Sequence, residues 1–135
     1  KPLANTFAPS VDIKSFSNGM GSSGLPGGLD SMSRFVRVAF TRLNSVCDDD
    51  EASSVTQFFH ILTSVSQTNG CCDVGNGKYE KTVYTSCCNT RTGVYYYTTY
   101  GNRQISGVDM RKEDLDGANL ISYKLVEAQQ INMQN

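Results

Sequence analysis

The sequence has little of several residue types that small proteins use for catalysis or for recognition of charged partners. Its 135 residues include no tryptophan, one histidine and three prolines. The 12 Lys and Arg residues nearly balance the 13 Asp and Glu residues, which gives a net charge of −1. A near-neutral chain lacks the basic surface that nucleic acids and anionic membranes attract, so we expect neither as a partner. No apolar run approaches the roughly 18 residues that a membrane-spanning helix needs.

Proline and glycine are unevenly placed, and this divides the chain. All three prolines lie in residues 1–30, together with a Gly/Ser cluster at 17–28. That composition is typical of an extended connector. Residues 31–135 carry the helix and strand patterns and form the predicted helix–helix–sheet unit. The chain begins with Lys1 rather than Met, so we also expect further sequence upstream.

The cysteines do not form a pattern typical of disulfides or zinc. There are five, in an odd total that includes two adjacent pairs: Cys47, Cys71, Cys72, Cys87 and Cys88. Disulfide frameworks usually have an even count with wider spacing, and structural zinc usually has Cys-x2-4-Cys spacing. We interpret the five as reduced thiols in a cytoplasm, and we expect no metal.

Two amphipathic patterns predict helices at 31–46 and 51–67, with Asp30 or Ser31 capping the first. Helix one is apolar around most of its circumference, which predicts burial on more than one side. Its narrow polar stripe consists of Arg34, Arg37, Thr41 and Asn44. Helix two has one apolar stripe, made of Val55, Phe58, Phe59, Leu62 and Val65. His60 lies on the opposite polar stripe, which indicates a surface histidine rather than a catalytic one.

The period changes to two after residue 79, which predicts four strands at 79–88, 93–100, 103–110 and 120–125. The first three form a meander, with a two-residue turn at Gly101–Asn102. Alternation places successive residues of the triple tyrosine, Tyr95, Tyr96 and Tyr97, on opposite faces. The fold class is therefore α+β, with two helices packed on one face of an antiparallel sheet. Nothing in the chain remains to cover the other face, which again favours a missing upstream part.

One candidate for chemistry remains after the common motifs are tested. The Gly-rich segment before helix one lacks the Lys-Ser/Thr ending of a phosphate loop. The single histidine supports neither a Ser-His-Asp nor a Cys-His arrangement. Arg34 lies in the first turn of helix one, directly after the loop. It either directs its charge at a reacting group or, with Arg37, merely solvates the polar stripe.

Several segments resemble the C-terminal part of the choloylglycine hydrolase family. They are "GLPGGLDSMSRFVRVAFTRLNSV", "SSVTQFFHILTSV", "KYEKTVYTSCCNTRTGVYYYTTYGNRQISGVDM" and "LISYKL". The Gly-Leu-Pro-Gly…Ser-Arg-Phe segment and the "QFFHIL" helix are the family's most specific features. The similarity extends over nearly the whole chain and is strongest to the conjugated bile salt hydrolases of Gram-positive gut bacteria. The family also contains the penicillin V acylases.

The resemblance implies a fold, a reaction and one site residue. The fold is an N-terminal nucleophile αββα sandwich, of which this chain is one helix–sheet half. In the reaction, an N-terminal cysteine attacks an amide and forms a thioester that water then hydrolyses. The family's Ser-Arg-Phe arginine, Arg34 here, stabilises that cysteine. None of the five cysteines is N-terminal, so the nucleophile is expected upstream. Gly28 stands where members usually have Asp, and Asp30 is a candidate to compensate for the loop bracing that is lost.

We therefore expect a C-terminal segment of a bacterial, cytoplasmic bile salt hydrolase. Its predicted partners are the upstream half with the Cys nucleophile, conjugated bile acids as substrate, and further copies in a homodimer or homotetramer. No cofactor is expected, and this chain alone is expected to be inactive. Two alternatives stay open: a penicillin V acylase of the same family, or a non-catalytic remnant that acts as a binding module.

Overall fold

The computed structural model describes residues 8–11 and 19–135, and it also leaves the side chain of Met20 undescribed. Within the described residues there are two α-helices, α1 (Ser31–Asn44) and α2 (Glu51–Thr63). They are followed there by five strands: β1 (Cys72–Gly75), β2 (Lys78–Glu80), β3 (Tyr84–Asn89), β4 (Val94–Thr99) and β5 (Ser106–Asp109). Single 3-10 turns occupy Met20–Ser22 and Met110–Lys112. Part of the predicted connector, 1–7 and 12–18, lies outside the described residues, and the division at residue 30 stays a prediction.

Both helices begin at an aspartate cap, as the sequence indicates for the first. The Asp30 carboxylate accepts hydrogen bonds from the Ser33 backbone N, at 2.9 Å, and from the Ser33 hydroxyl, at 2.7 Å. Asp50 accepts from the Ser53 backbone N at 2.9 Å. The two backbone bonds satisfy main-chain donors that a helix start leaves free. Hydrogen bonds from the side chain and then the backbone of Ser33 lower the pKa of Asp30, and those from the side chain and then the backbone of Ser53 lower the pKa of Asp50, because they favour the ionised form.

The orientation of α1 is the reverse of the prediction. None of its residues is buried, and most of its apolar side chains are exposed; Met32, Phe35 and Leu43 are 67–81% exposed, whereas Val38 and Ala39 are half-buried. The two arginines of the polar stripe instead turn toward α2. The prediction of burial on more than one side was wrong for the described residues, because they cover only the side of α1 that carries Arg34, Arg37 and Val38.

Helix α2 ends four residues earlier than predicted, at Thr63. Gln67, which the periodicity placed in the helix, exchanges hydrogen bonds with Thr82. Its backbone N donates to the Thr82 hydroxyl, and the Thr82 backbone N donates to its carbonyl. The same exchange interrupts the predicted strand 79–88, which is divided into β2 and β3. His60 is exposed on α2, where the sequence placed it.

The main sheet is the predicted antiparallel meander, in the order β3-β4-β5. Cys87 pairs with Tyr96, and Tyr97 pairs with Ser106. Tyr96 points toward α2, where its hydroxyl donates to Glu51. Tyr95 and Tyr97 line the opposite face. The predicted alternation of the tyrosines is therefore confirmed.

The second sheet face is covered in part by the chain's own C-terminal segment, contrary to prediction. Residues 120–125 form no strand. The Val126 backbone N donates to the Tyr97 hydroxyl at 3.3 Å, and the Thr99 hydroxyl donates to the Val126 carbonyl at 3.1 Å. The side chains of Tyr97 and Thr99 thus attach the C-terminal segment to the sheet at Val126, directly after residues 120–125. A cavity of about 380 Å³ remains between this segment and the sheet, lined mostly by apolar and aromatic side chains.

The turns also differ from prediction at two places. Thr99 and Asn102 exchange backbone hydrogen bonds of 3.0 and 3.3 Å, so the tight turn lies at residues 100–101 rather than at Gly101–Asn102. Asn102 is buried, and its side chain accepts from the Gln104 backbone N. The β1–β2 hairpin was not predicted. Its turn uses Asn76, at a φ of 55°, and Gly77, at 69°, which are positive values that Asn and Gly tolerate best.

Candidate functional site

The candidate site is built where the loop before α1 meets the end of α2. We call it the arginine junction and define it as residues 24–30, Arg34, Arg37 and residues 64–67. The last carbonyls of a helix have no partner within the helix, and the helix dipole makes that end attractive to cations. Arg34 Nε donates to the Val65 carbonyl at 3.1 Å, and Arg37 Nε donates to the Ser64 carbonyl at 3.3 Å. The polar stripe of α1 is therefore bound to the end of α2.

Arg37 also holds the loop. Its Nη1 donates to the Gly28 carbonyl at 2.6 Å and to the Pro26 carbonyl at 3.2 Å. One guanidinium thus connects the loop to the end of α2. The sequence did not single out this role, because it placed Arg37 only as a neighbour of Arg34 on the polar stripe.

Gln67 supplies a second connection that the sequence did not reveal. This residue is 3% exposed, and its Nε2 donates to the Leu29 carbonyl at 3.3 Å. Its backbone is bound to Thr82, just before β3. The loop is therefore tied to the sheet as well as to both helices.

Gly28 fits tightly against the α1 cap. A Cβ added there would lie 2.6 Å from Asp30 Oδ2 and 2.7 Å from Ser33 Oγ, closer than real Cβ atoms approach. The Asp that the family resemblance leads us to expect here would therefore compete with Asp30 for the same space. Among the described residues, the Asp30 side chain bonds only to Ser33, so it braces the helix start. The loop carbonyls are held by Arg37 instead.

Arg34 keeps most of its hydrogen-bonding capacity. Within the described residues only its Nε has a hydrogen-bond partner, and both Nη groups have none. Neither Arg34 nor Arg37 forms an ion pair with any residue in 8–11 or 19–135. The half-buried guanidinium of Arg34 thus has a fixed Nε and a positive charge that no carboxylate in residues 8–11 or 19–135 pairs. Such a group can stabilise an anion.

The other titratable candidates do not form a catalytic arrangement. His60 lines a trough of about 560 Å³ between α2 and the sheet, among Thr, Tyr and Phe side chains and Arg103. All five cysteines are free thiols. Burial, with the Glu80 carboxylate, raises the pKa of Cys72, and burial raises the pKa of Cys87. Raised pKa values oppose thiolate formation, whereas a nucleophilic cysteine needs the reverse.

The described residues contain neither a metal-binding cluster nor a helix suited to a bilayer. No three His, Cys, Asp or Glu side chains in residues 8–11 and 19–135 are arranged to hold a metal ion. Over the same residues, no helix has the length and apolar character to cross a membrane.

Comparison with known proteins identifies the family. The profile of the choloylglycine hydrolase family of linear amide C–N hydrolases matches residues 1–123. The chain is 58% identical over 121 residues to a bile salt hydrolase/transferase of Lactiplantibacillus plantarum, covering 90% of this chain and 37% of that protein. It is 40% identical to a bile salt hydrolase/transferase of Clostridium perfringens, covering 91% and 37%. The chain thus spans little more than a third of the length of these relatives.

Solved structures agree with the sequence matches. A mutant of a conjugated bile acid hydrolase from Clostridium perfringens superposes with a TM-score of 0.81 at 39% identity, over 91% of this chain and 37% of that one. A penicillin V acylase from Agrobacterium tumefaciens gives 0.60 at 21% identity, over 70% and 30%, a likeness of fold alone. The predicted α+β class and its place in an N-terminal nucleophile sandwich are confirmed. The chain belongs to the choloylglycine hydrolase family of linear amide C–N hydrolases.

Proposed function

We propose that this chain is the C-terminal part of a bile salt hydrolase that cleaves glycine- or taurine-conjugated bile acids. The observation that carries the proposal is the 58% identity, over 90% of the chain, to a protein named bile salt hydrolase/transferase. The penicillin V acylase reading has weaker support, since that structural match is 21% identical. The relative's length leaves room upstream for the nucleophile, which we place outside this chain.

The proposed reaction proceeds through a thioester. The upstream N-terminal cysteine gives its thiol proton to its own α-amino group, and the thiolate attacks the amide carbonyl carbon. The C–N bond then breaks, and the departing glycine or taurine nitrogen takes up the proton. Water hydrolyses the thioester, which releases the bile acid and regenerates the thiol.

Arg34 is the group of this chain that we assign to the thiolate. A positive neighbour lowers a thiol pKa and raises the fraction of reactive thiolate. The bond from Nε to Val65 fixes the guanidinium, and the unused Nη donors have no carboxylate among the described residues to neutralise them. A guanidinium that is fixed in position but not neutralised by a carboxylate stabilises a thiolate better than one in a salt bridge.

The assembled enzyme is proposed to be bacterial and cytoplasmic, to use no cofactor, and to form a homodimer or homotetramer. The bacterial origin of the bile salt hydrolase relatives supports the first point. Residues 1–30 are proposed to connect the upstream half to the unit at 31–135.

The test uses the full-length polypeptide that contains this chain, with taurocholate, glycocholate and penicillin V as substrates. We expect faster turnover of the bile salts than of penicillin V. Arg34→Ala should lower turnover at least tenfold, since a hydrogen bond to a charged group contributes about 1.5–3 kcal/mol and about 1.4 kcal/mol is a factor of ten.

Arg42→Ala is the matched control, because Arg42 is exposed on the same helix and has no hydrogen-bond partner among the described residues. Its activity should stay at the wild-type value. Equal activity of the Arg34 and Arg42 variants would remove Arg34 from the mechanism. Absence of bile salt turnover from a folded wild-type protein would contradict the function and favour the binding-module reading.

A further inference from the structure

Arg37 binds both segments that fix the environment of Arg34. Its three acceptors are the carbonyls of Pro26 and Gly28 in the loop and of Ser64 at the end of α2. Ser64 directly precedes Val65, whose carbonyl is the hydrogen-bond partner of Arg34. The two arginines are one helical turn apart and bind consecutive carbonyls of the same segment.

The loop has few other attachments. Outside the helices and strands of the described residues, residues 26–29 form no backbone–backbone hydrogen bond. Side chains hold three of their four carbonyls, two through Arg37 and one, on Leu29, through Gln67. Removal of the Arg37 side chain therefore frees two of the three loop carbonyls that side chains of the described residues hold, and it also releases the Ser64 carbonyl.

Only arginine suits this position. Its guanidinium presents donors in a rigid plane, so Nη1 can bind two loop carbonyls while Nε binds the end of α2. A lysine has one nitrogen on a flexible stem and cannot hold both segments with the same geometry.

We propose that Arg37 is a positioning residue for Arg34: it fixes the loop and the end of α2 so that the Arg34 guanidinium stays at its working distance from the reacting group. This inference rests on the proposed role of Arg34 toward the upstream thiolate. Arg37 itself contacts main-chain carbonyls and touches no reacting atom.

The experiment is a double-mutant cycle in the full-length polypeptide, with kcat and kcat/KM for taurocholate measured across pH. The variants are Arg34→Ala, Arg37→Ala, their combination, and Arg37→Lys, with Arg42→Ala as control. If Arg37 acts through Arg34, Arg37→Ala lowers kcat several-fold in the wild type and has no further effect once Arg34 is Ala. Arg37→Lys should recover little of the loss.

The pH profile separates positioning from a merely structural role. If the distance between the Arg34 charge and the thiolate increases from about 4 to about 6 Å, at an effective dielectric constant of about 20, the thiol pKa rises by about one unit. The acidic limb of kcat/KM should therefore move up by about one pH unit in Arg37→Ala and in Arg37→Lys. Partial unfolding would reduce the rate equally at every pH and leave the limb in place.

The outcomes distinguish failure of the positioning role of Arg37 from failure of the proposed role of Arg34. An unmoved acidic limb, or losses that multiply in the double variant, would overturn the positioning role while leaving Arg34 in the mechanism. If Arg34→Ala matches the control, the assignment of Arg34 fails, and the inference about Arg37 fails with it. If Arg37→Ala does not fold, Arg37→Lys, which keeps the charge and the apolar stem, provides the same limb measurement.

Discussion

A side chain at position 28, where the family resemblance leads us to expect Asp, should destabilise this protein rather than help it. The smallest test is Gly28→Ala. Its new Cβ would lie 2.6 Å from Asp30 Oδ2, 2.7 Å from Ser33 Oγ and 3.2 Å from Ser33 Cβ. The two shortest contacts involve the side chains that form the α1 cap, so relief of the overlap breaks the cap bonds. Gly28→Asp adds a second carboxylate beside Asp30 and should be worse.

The magnitude follows from two opposing effects. Overpacking at a tight site costs about 1–3 kcal/mol. Replacing Gly by Ala where the backbone permits it returns about 0.4–1 kcal/mol, because the unfolded chain loses freedom. Gly28 has no positive φ to add strain. We therefore expect the free energy of unfolding to fall by about 1–2 kcal/mol.

The control lies in the same loop. Gly27 also lacks a positive φ, and a Cβ added there has no atom within 4 Å. Gly27→Ala should therefore be neutral or slightly stabilising. Urea unfolding of the full-length polypeptide, followed by circular dichroism, measures both variants against the wild type. If Gly28→Ala proves as stable as Gly27→Ala, the tight fit against the cap is refuted.

Two further predictions concern the ties at either end of α2. Glu51 Oε1 accepts hydrogen bonds from Thr92, Tyr96 and Asn89, chiefly the first two, and these lower its pKa from 4.5. The stabilisation that ionised Glu51 gives the folded state is therefore complete above pH 4.5 and is lost as the pH falls through the lower pKa of the folded state. Glu51→Gln should consequently make the free energy of unfolding depend less steeply on pH in the acid range. An unchanged slope would contradict this. Gln67→Ala should lower the free energy of unfolding by about 1–3 kcal/mol, because it leaves a buried cavity and removes a hydrogen bond. Urea unfolding measures this loss. Stability equal to that of the wild type would mean that the Gln67 side chain does not hold the loop.

The positions of the helices could be predicted well from the sequence, but the groups that pack against each side of them could not. Apolar spacing predicted both helix starts, and Asp30 was one of two cap candidates given for the first. Periodicity identifies which side of α1 is apolar, yet it does not identify what lies against each side. The arginines bind free carbonyls at the end of α2, and a carbonyl carries no signature in the sequence. Arg37 and Gln67 were missed as structural ties for this reason.

Strand prediction failed at the C-terminal segment. Residues 120–125 have a good strand composition but form no strand, and the segment is attached to the sheet just beyond them, where the side chains of Tyr97 and Thr99 bind the main chain of Val126. The β1–β2 hairpin had a readable signal in Asn76–Gly77, a residue pair typical of two-residue hairpin turns, which the sequence-based prediction did not use. The role assigned to Arg34 comes from the family resemblance and stays a prediction, because the residues alone did not distinguish it from a surface charge.

The outward apolar side of α1 has a practical consequence for work with the isolated chain. Met32, Phe35, Phe40 and Leu43 form a hydrophobic ribbon along one helix, exposed at 41–81%. Exposed patches of this kind bind amphiphiles and promote association. Conjugated bile salts are amphiphiles with an apolar steroid face. Binding of bile salt to this chain alone would therefore indicate nonspecific adsorption to the exposed apolar side of α1. Only turnover by the full-length polypeptide would indicate a substrate site.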